Sequence, residues 1–250
     1  MGRRIWPLLL ALLLAGCAAP EEPCRRELEA MDTYMVLTVY GPRAGEAAGQ
    51  GEALLRELEA RLSVTEEDSE IYRANHSGGE PVPLSEDTAR LLAQALALCE
   101  STEGALDVTI YPVVRSWGFT TGAFRVPEEA ELARLLERVD YTRVRLEGDS
   151  LTLPEGVELD LGAVAKGWAG DRLTELFRSL GITSAIVELG GNVQAMGTRP
   201  DGEPWRVAVQ APEGGYAAAL EVADKAVVTS GGYQRYFQQD GKTYCHIIDP

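Results

Sequence analysis

The sequence predicts an α+β protein with mostly antiparallel sheet and packed helices. Segments with helical periodicity are concentrated early in the chain, whereas alternating β-branched and aromatic runs dominate its later part. Strands and helices therefore do not alternate steadily, as they would in a doubly wound fold. No GxGxxG motif follows a predicted strand, which argues against a Rossmann cofactor site.

The early part of the chain is predicted to contain one strand and three helices. Residues 31–40 alternate like a strand, and residues 46–62 have apolar side chains at helical spacing. Residues 63–75 are polar and end in a short helical tail. Ser85 is expected to cap the second helix, and Pro127 to open the third. The side chains expected to face the core from these two helices are Ala89, Leu92, Leu96, Cys99, Leu132, Leu135, Leu136 and Val139.

Strands are predicted to dominate the later part of the chain. We expect a hairpin of residues 143–146 and 150–153, then a short strand over residues 157–161, where apolar and acidic side chains alternate. A helix follows with apolar residues at helical spacing from Ala165, and Gly181 is expected to end it. The remaining strands are expected at residues 185–189, 205–210, 226–229 and 243–248.

The first residues have the features of a bacterial lipoprotein signal. Two arginines precede an apolar run over residues 5–14 that is too short to span a bilayer, and Leu-Ala-Gly stands directly before Cys17. We expect a signal peptide over residues 1–16 and a lipidated Cys17, with an ordinary cleaved signal as the alternative. Residues 17–29 are rich in proline and charge, which predicts a tether with little structure before one domain over residues 30–250.

The chain is acidic, with a formal net charge of −16 at pH 7. Such a surface repels nucleic acid and anionic lipid, so a negative ligand needs a local positive or metal-bearing pocket, and we expect no nucleic-acid partner. The cysteines show neither a disulfide framework nor a CxxC zinc pattern. A Cys99–Cys245 bridge is one option, but Cys99 lies in a helical pattern and is expected to be a small buried hydrophobe.

The most informative stretch covers residues 157–180. It places Asp160, Gly162 and Lys166 where a predicted strand turns into a helix. Free backbone N–H groups and the helix dipole favour an anion at such a position, and phosphate is the obvious candidate. The residues alone also allow a second interpretation, in which Gly162 makes a tight turn, Asp160 caps the helix and Lys166 is solvated.

The sequence contains two histidines, and they differ in their surroundings. His76 lies in a polar loop and receives no role. His246 follows Cys245 in a predicted strand, where the two side chains point to opposite faces, so a direct Cys–His dyad is excluded. A Ser–His–Asp hydrolase with Ser230 and Asp249 stays open, although no GxSxG motif supports it.

Several motifs resemble those of the ApbE-type FAD:protein FMN transferases. DLGAVAKGWAGD is similar to the signature of that family, and residues 103–119, which alone indicate a buried strand, resemble another family segment. The resemblance extends over residues 31–250 and implies an ApbE-like, T-fold-like α+β fold. The motifs occur in family order: DSE and an asparagine at 68–75, Ala-Leu-Asp, a proline and Trp-Gly at 105–118, DLGAVAKGWAGD at 160–171, TSG at 229–231 and HIIDP at 246–250.

The resemblance implies phosphoryl transfer with FAD as the donor. A threonine or serine hydroxyl of a partner protein attacks the pyrophosphate, FMN becomes ester-linked to that residue, and AMP leaves. By the same resemblance, His246 is the catalytic base, Lys166 and Mg²⁺ neutralise phosphate charge, and the carbonyl of Ala163 is a metal ligand. The residues implied to contact FAD are Met31, Ala105, Leu106, Asp107, Asp160, Lys166, Thr229, Ser230 and Ile248.

The sequence departs from the family pattern in two places. It stops at Pro250, whereas the family continues through a further strand and a helix whose Asp and Thr complete the metal site. One carbonyl cannot hold Mg²⁺ alone, so the chain is expected to be either a fragment or a defective member. Thr65 stands where relatives often carry an aromatic residue near the flavin.

The resemblance also implies partners and a location. The acceptors are expected among flavin-carrying subunits of NADH:quinone or Rnf-type electron-transport complexes, and the lipoprotein is expected to face outward from the bacterial inner membrane. Two other functions are considered. One is a non-catalytic FAD-binding lipoprotein, and the other is a pyrophosphatase that hydrolyses FAD to FMN and AMP.

Overall fold

The computed structural model describes residues 22–232 and 235–250 and has the predicted α+β architecture. Its strands are β1 (Cys24–Ala30), β2 (Thr33–Tyr40), β3 (Val82–Pro83), β4 (Arg145–Glu147), β5 (Ser150–Thr152), β6 (Ser184–Leu189), β7 (Asn192–Met196), β8 (Trp205–Gln210), β9 (Tyr216–Val222), β10 (Lys225–Val228), β11 (Tyr236–Gln239) and β12 (Lys242–Cys245). Its helices are α1 (Ala44–Leu62), α2 (Glu70–Asn75), α3 (Glu86–Ser101), α4 (Tyr111–Ser116), α5 (Glu129–Leu136) and α6 (Gly162–Ser179), with a 3₁₀ turn at Tyr141–Arg143.

A five-stranded antiparallel sheet in the order β1-β2-β6-β7-β10 forms the centre of the fold. Helix α1 packs on β1, β2 and α6. The packing is close at Gly51 of α1, where an added Cβ would lie 3.1 Å from side chains of Leu37, Leu173 and Phe177. Smaller sheets pair β3-β5-β4, β8-β9 and β11-β12.

The core lies between the central sheet and the helices. Leu37, Leu55, Leu92, Leu173 and Phe177 are almost fully buried and come from β2, α1, α3 and α6. Removing these apolar side chains from water is the main stabilising contribution, about 1.5–3 kcal/mol for each. The core therefore fixes α6, the helix that carries the candidate phosphate site.

The N-terminal segment corrects one prediction. Residues 17–29 were expected to have little structure, but β1 pairs along its length with β2, from Cys24 opposite Val39 to Ala30 opposite Thr33. Leu28 is buried in this strand, while the charged side chains around it face solvent. Charges on an edge strand discourage pairing with other chains. In this segment they also interrupt the apolar alternation by which a strand is predicted from sequence.

Residues 103–119 correct a second prediction, because they do not form a strand. They form a loop with a single parallel bridge from Ile110 to Glu158, followed by α4 with a proline in its first turn. The third predicted helix exists as α5, but none of the four side chains expected to face the core is buried: Leu136 is exposed, and Leu132, Leu135 and Val139 are half-buried outside the core cluster. Its short length and acidic first turn leave α5 on the surface.

Other predictions are confirmed or adjusted. The hairpin forms as β4 and β5, Ser85 caps α3, and Cys99 is buried with a free thiol. The predicted strand over residues 157–161 does not form: the segment shows the expected alternation of burial, but its ladder contact is the single bridge from Glu158 to Ile110. The last predicted strand ends at Cys245, which leaves His246 beyond it. Besides β1, the strands β3, β7, β9 and β11 were not predicted from the sequence. Within residues 22–232 and 235–250, the helices are too short or too polar to cross a bilayer.

Candidate active site

Asp160 is held at the start of α6 by contacts from two distant segments. The side chain of Asn75 accepts a hydrogen bond from Leu159 N at 2.7 Å and donates one to Leu159 O at 2.9 Å. The Asp160 N–H donates to Val108 O at 2.8 Å. The carboxylate accepts from Gly162 N, the first residue of α6, at 2.7 Å. The cap position itself is Leu161, which has no side-chain cap bond, so Asp160 holds the turn before the helix instead of capping it. Burial raises the pKa of Asp160, and the Arg235 charge partly opposes that shift.

Lys166 lies one turn further along α6 and is half-buried. In the part of the chain that the structure describes, its ammonium has no hydrogen bond or ion pair. Burial lowers the pKa of Lys166, and the charge of Arg235 lowers it further. A half-buried cation without a direct ion pair among the described residues is a favourable place for a ligand anion, and the carboxylates of Asp32 and Asp160 favour its charged form only through space. The solvated interpretation of Lys166 stays open beside this one.

Met31 lies in a two-residue turn that joins β1 to β2. Met31 and Asp32 both have left-handed backbone conformations, with φ of 50° and 56°, as a type I′ hairpin turn requires. Glu59 of α1 accepts a hydrogen bond from Met31 N at 2.7 Å. A left-handed methionine is strained, so this contact and the strand pairing hold the half-buried Met31 in place.

His246 follows β12 and is half-buried beside Phe119, with 6.4 Å between the ring centroids. Its main-chain N–H donates to Arg235 O at 3.1 Å, and its Nδ1 lies 3.2 Å from the same oxygen. Because a carbonyl can only accept, this contact assigns the proton to Nδ1 and leaves Nε2 free to accept one. Burial lowers the pKa of His246, and the charges of Arg235 and Lys166 also lower it. The imidazole is therefore neutral near pH 7.

The predicted residues 105–107 differ in exposure. Asp107 is buried, and its Oδ1 accepts from the N–H and hydroxyl of Thr109 at 2.8 and 2.6 Å, while its Oδ2 accepts from Tyr141 N at 3.0 Å. These bonds make the Asp107 carboxylate the link between its own loop and the 3₁₀ turn at Tyr141. Ala105 is exposed and Leu106 is half-buried, so both can be reached from solvent.

The other predicted contacts lie on the surface. Thr229 is exposed, and its N–H and hydroxyl donate to Gly191 O at 3.4 and 3.5 Å, which ties it to the β6–β7 turn. Ser230 is exposed and Ile248 is half-buried. Ala163 is exposed in the first turn of α6.

Electrostatic interactions link Asp160 and Lys166, which share one motif, and link Lys166 with His246, which lies in another. Each of the three is also influenced by Arg235, and the first two by Asp32. Arg235 and Asp32 were not predicted as site residues, and neither lies in a motif that would have marked it. Asn75 could have been found, since it closes the DSE segment of the family resemblance.

A magnesium site is not formed by the described residues. Within 22–232 and 235–250, no group of three or more His, Cys, Asp or Glu side chains is placed to hold a metal ion. Mg²⁺ prefers octahedral oxygen coordination, and the Ala163 carbonyl supplies one oxygen at most. The donors present therefore do not fit Mg²⁺ by themselves.

The fold and the site define an α+β protein in which a half-buried lysine near the start of α6 shares an electrostatic environment with a half-buried histidine that follows the last strand. Comparison with known proteins gives the family: the ApbE family model matches residues 31–250, and the chain belongs to this family. The α+β fold and its neighbours agree with the fold that the motifs implied.

Relatives and solved structures support this assignment. An FAD:protein FMN transferase of Vibrio cholerae is 36% identical over 99% of this chain and 78% of its own length. The transferase of Treponema pallidum is 34% identical over 94% of this chain and 71% of its own. The ApbE protein of Thermotoga maritima superimposes with a TM-score of 0.87 at 30% identity, over 91% of this chain and 76% of that one. The flavin transferase ApbE of Vibrio cholerae gives 0.81 at 32% identity, over 92% and 77%.

Proposed function

We propose that this chain is an FAD:protein FMN transferase, the activity that the names of its relatives give. The observation that carries the proposal is Lys166, which is half-buried in α6, has no hydrogen bond or ion pair among residues 22–232 and 235–250, and lies within electrostatic range of His246. A cation and a helix N-terminus suit the diphosphate of FAD, and a neutral imidazole suits removal of a proton.

The proposed reaction transfers one phosphoryl group. The hydroxyl oxygen of an acceptor threonine or serine bonds to the phosphorus that carries the riboflavin part, and the bond from that phosphorus to the oxygen of AMP breaks. Nε2 of His246 takes the hydroxyl proton, and AMP leaves with the bridging oxygen. FMN remains on the acceptor as a phosphate ester.

The other predicted residues are proposed as substrate contacts. Asp160 is proposed to hold flavin-side groups, and residues 105–107 to line the flavin site. Met31 and Ile248 are proposed to pack on the ligand. Thr229 and Ser230 are proposed to lie near the pyrophosphate, with hydroxyls that can donate to phosphate oxygens.

The proposal can be tested by incubating the full chain with FAD, Mg²⁺ and an acceptor peptide. A fluorescent peptide and released AMP are expected for the wild type. His246→Ala should abolish transfer while FAD still binds, whereas His76→Ala removes the other histidine, which stacks on Tyr72, and should leave transfer unchanged. Transfer by His246→Ala at the wild-type rate would remove the base assignment.

The same reaction mixture separates the alternatives. Free FMN and AMP without labelled peptide would indicate a pyrophosphatase with water as acceptor. FAD that stays bound and intact would indicate a non-catalytic binding protein. Magnesium dependence is a further proposal taken from the resemblance, and comparing the reaction with and without a chelator tests it; no step above is assigned to the metal.

The partners and location are also proposals. We infer an acceptor among flavin-carrying subunits of NADH:quinone or Rnf-type complexes, and a lipid on Cys17 that anchors the protein at the outward face of the bacterial inner membrane. Cys17 and the signal lie outside the described residues. Incorporation of labelled fatty acid by the wild type and its loss in Cys17→Ser would support the anchor.

A further inference from the structure

Arg235 lies beside the candidate base and reaches two other segments. Its carbonyl contacts the main-chain N–H and Nδ1 of His246. Its Nη2 donates to Phe119 O at 2.8 Å and lies 4.0 Å from Oδ2 of Asp32. The guanidinium therefore lies between the loop that follows α4 and the β1–β2 turn that carries Met31.

The guanidinium of Arg235 is available for a ligand. It has five N–H donors, and the hydrogen bond that the described contacts give it is the one to Phe119 O. The side chain of Arg235 is 46% exposed, and that of Asp32 is 82% exposed. An ion pair at 4.0 Å between such exposed groups contributes little stability. Arg235 can therefore leave Asp32 and pair with a ligand anion at a small cost in free energy.

The charge of Arg235 also acts on the residues around the start of α6. After burial, it is a cause of the lowered pKa of Lys166 and of His246, and it opposes the raised pKa of Asp160. Charges in a partly solvated site act on one another mainly within about 10 Å, because water and salt screen them beyond that distance. Two cations, Lys166 and Arg235, therefore share one site in a chain of net charge −16.

We propose that Arg235 is a second cationic contact for the diphosphate of FAD, beside Lys166, and that a phosphate oxygen replaces Asp32 as the partner of its guanidinium. A guanidinium can hold two oxygens of one phosphate, whereas an ammonium acts as a point charge, so the two residues complement each other. The inference rests on the proposed function, because it adds a contact to the same substrate.

The test measures FAD binding by calorimetry at several salt concentrations. Arg235→Gln should weaken binding about tenfold, the loss expected for one charged hydrogen bond, and should also reduce the salt dependence of the affinity. Arg235→Lys should keep that salt dependence and part of the affinity. Arg206→Gln makes the same chemical change at an exposed residue of β8 and should alter neither quantity.

Asp32→Asn tests the exchange of partners separately. Asparagine tolerates a left-handed backbone, so the turn is retained while the competing carboxylate is removed. FAD should then bind about two- to threefold more tightly, as expected for loss of one exposed charge pair. An affinity equal to or below that of the wild type would overturn the proposal that a phosphate replaces Asp32. This test does not depend on Arg235→Gln, so it remains decisive if that variant does not fold.

The outcomes distinguish this inference from the proposed function. Wild-type affinity and salt dependence in Arg235→Gln would overturn the role of Arg235 and leave the transferase proposal intact. A loss of affinity with unchanged salt dependence would indicate that Arg235 acts only by holding the Phe119 loop through its hydrogen bond, and would also overturn the inference. Absence of FAD binding by the wild type would overturn the proposed function and this inference with it.

Discussion

The side-chain amide of Asn75 pairs with both main-chain groups of Leu159, 84 residues further along the chain. This double hydrogen bond satisfies main-chain groups of the segment before α6, which belongs to no strand. It therefore sets the position of Asp160, the next residue.

Asn75→Asp is expected to break half of this pairing. The carboxylate can still accept from Leu159 N, but it no longer donates to Leu159 O and it adds a partly buried charge. The free energy of unfolding should fall by about 1–3 kcal/mol, which denaturant titration can measure. Gln94→Glu makes the same amide-to-acid change on the exposed side of α3 and should have a much smaller effect. Equal stability of the two variants would contradict the positioning role of Asn75.

Glu59 is expected to affect FAD binding from outside the site. Glu59→Ala removes the acceptor for Met31 N and should release the strained turn, lowering FAD affinity about threefold to tenfold, the range for one lost hydrogen bond. Glu59→Gln keeps an acceptor oxygen and should restore most of the affinity. Glu57→Ala, which removes a surface ion pair with Arg61 on the same helix, is the control. Titration of FAD by fluorescence quenching gives all three affinities.

Gly190 is expected to be intolerant of substitution. It has φ of 59°, and an added Cβ would lie 2.0 Å from Oγ1 of Thr33. Gly202 has φ of 88° with nothing within 4 Å, so Gly202→Ala carries the backbone strain alone. Gly190→Ala should lower the free energy of unfolding more than Gly202→Ala does, by about a further 1–3 kcal/mol, as typical for overpacking. Thermal unfolding of the pair measures the difference.

Asp160 predicts a pH dependence of stability. Burial raises its pKa in the folded state above the ordinary 3.8 of the unfolded state. At a pH between these two pKa values, the folded state binds more protons than the unfolded state. The contribution of this group to stability is therefore greatest at low pH and is lost as pH rises through the folded pKa. Asp160→Asn keeps an acceptor for Gly162 N and should be more stable than the wild type at pH 7, with weaker pH dependence. Asp68→Asn, an exposed control, should follow the wild type across the same denaturation series.

His246 predicts the pH dependence of transfer. Its pKa lies below the ordinary 6.5, so the base is neutral at pH 7, and the rate should fall only when pH drops below the lowered value. Lys166→Gln removes a charge that lowers this pKa, so the pH at which the rate is half its maximum should move up toward 6.5. This shift can be measured even if the variant has a lower maximum rate. A wild-type midpoint above 6.5 would argue against His246 as the base. Single-turnover rates from about pH 5 to 8 cover the range in which histidine titrates.

Much of the fold could be predicted because local patterns decided it. The apolar periodicity of α1 and α6 and the Ser85 cap of α3 were visible in the sequence and are found in the structure. The strand β1 was missed because its outward charges hide two buried positions, Leu28 and Ala30. Burial of alternate residues in an edge strand depends on its partner, which a local pattern does not contain.

The site could be predicted only where motifs marked it. Lys166 and His246 stood in recognisable segments, whereas Arg235 acts through a side chain that spans to Phe119 and Asp32. Such contacts join segments far apart in sequence, and no residue spacing encodes them. The same holds for Glu59, whose place on α1 gives no hint that it holds the Met31 turn.

The central sheet has a consequence for how the protein folds. β2 ends at Tyr40, but its antiparallel neighbour β6 begins at Ser184, so all the helices that the structure describes lie between the two partners in the chain. The β1–β2 hairpin can form early from neighbouring residues, yet one of its edges has no partner until the second half of the polypeptide joins it. Long-range pairing of this kind slows folding, and an open hairpin edge invites association with other nascent chains during the delay.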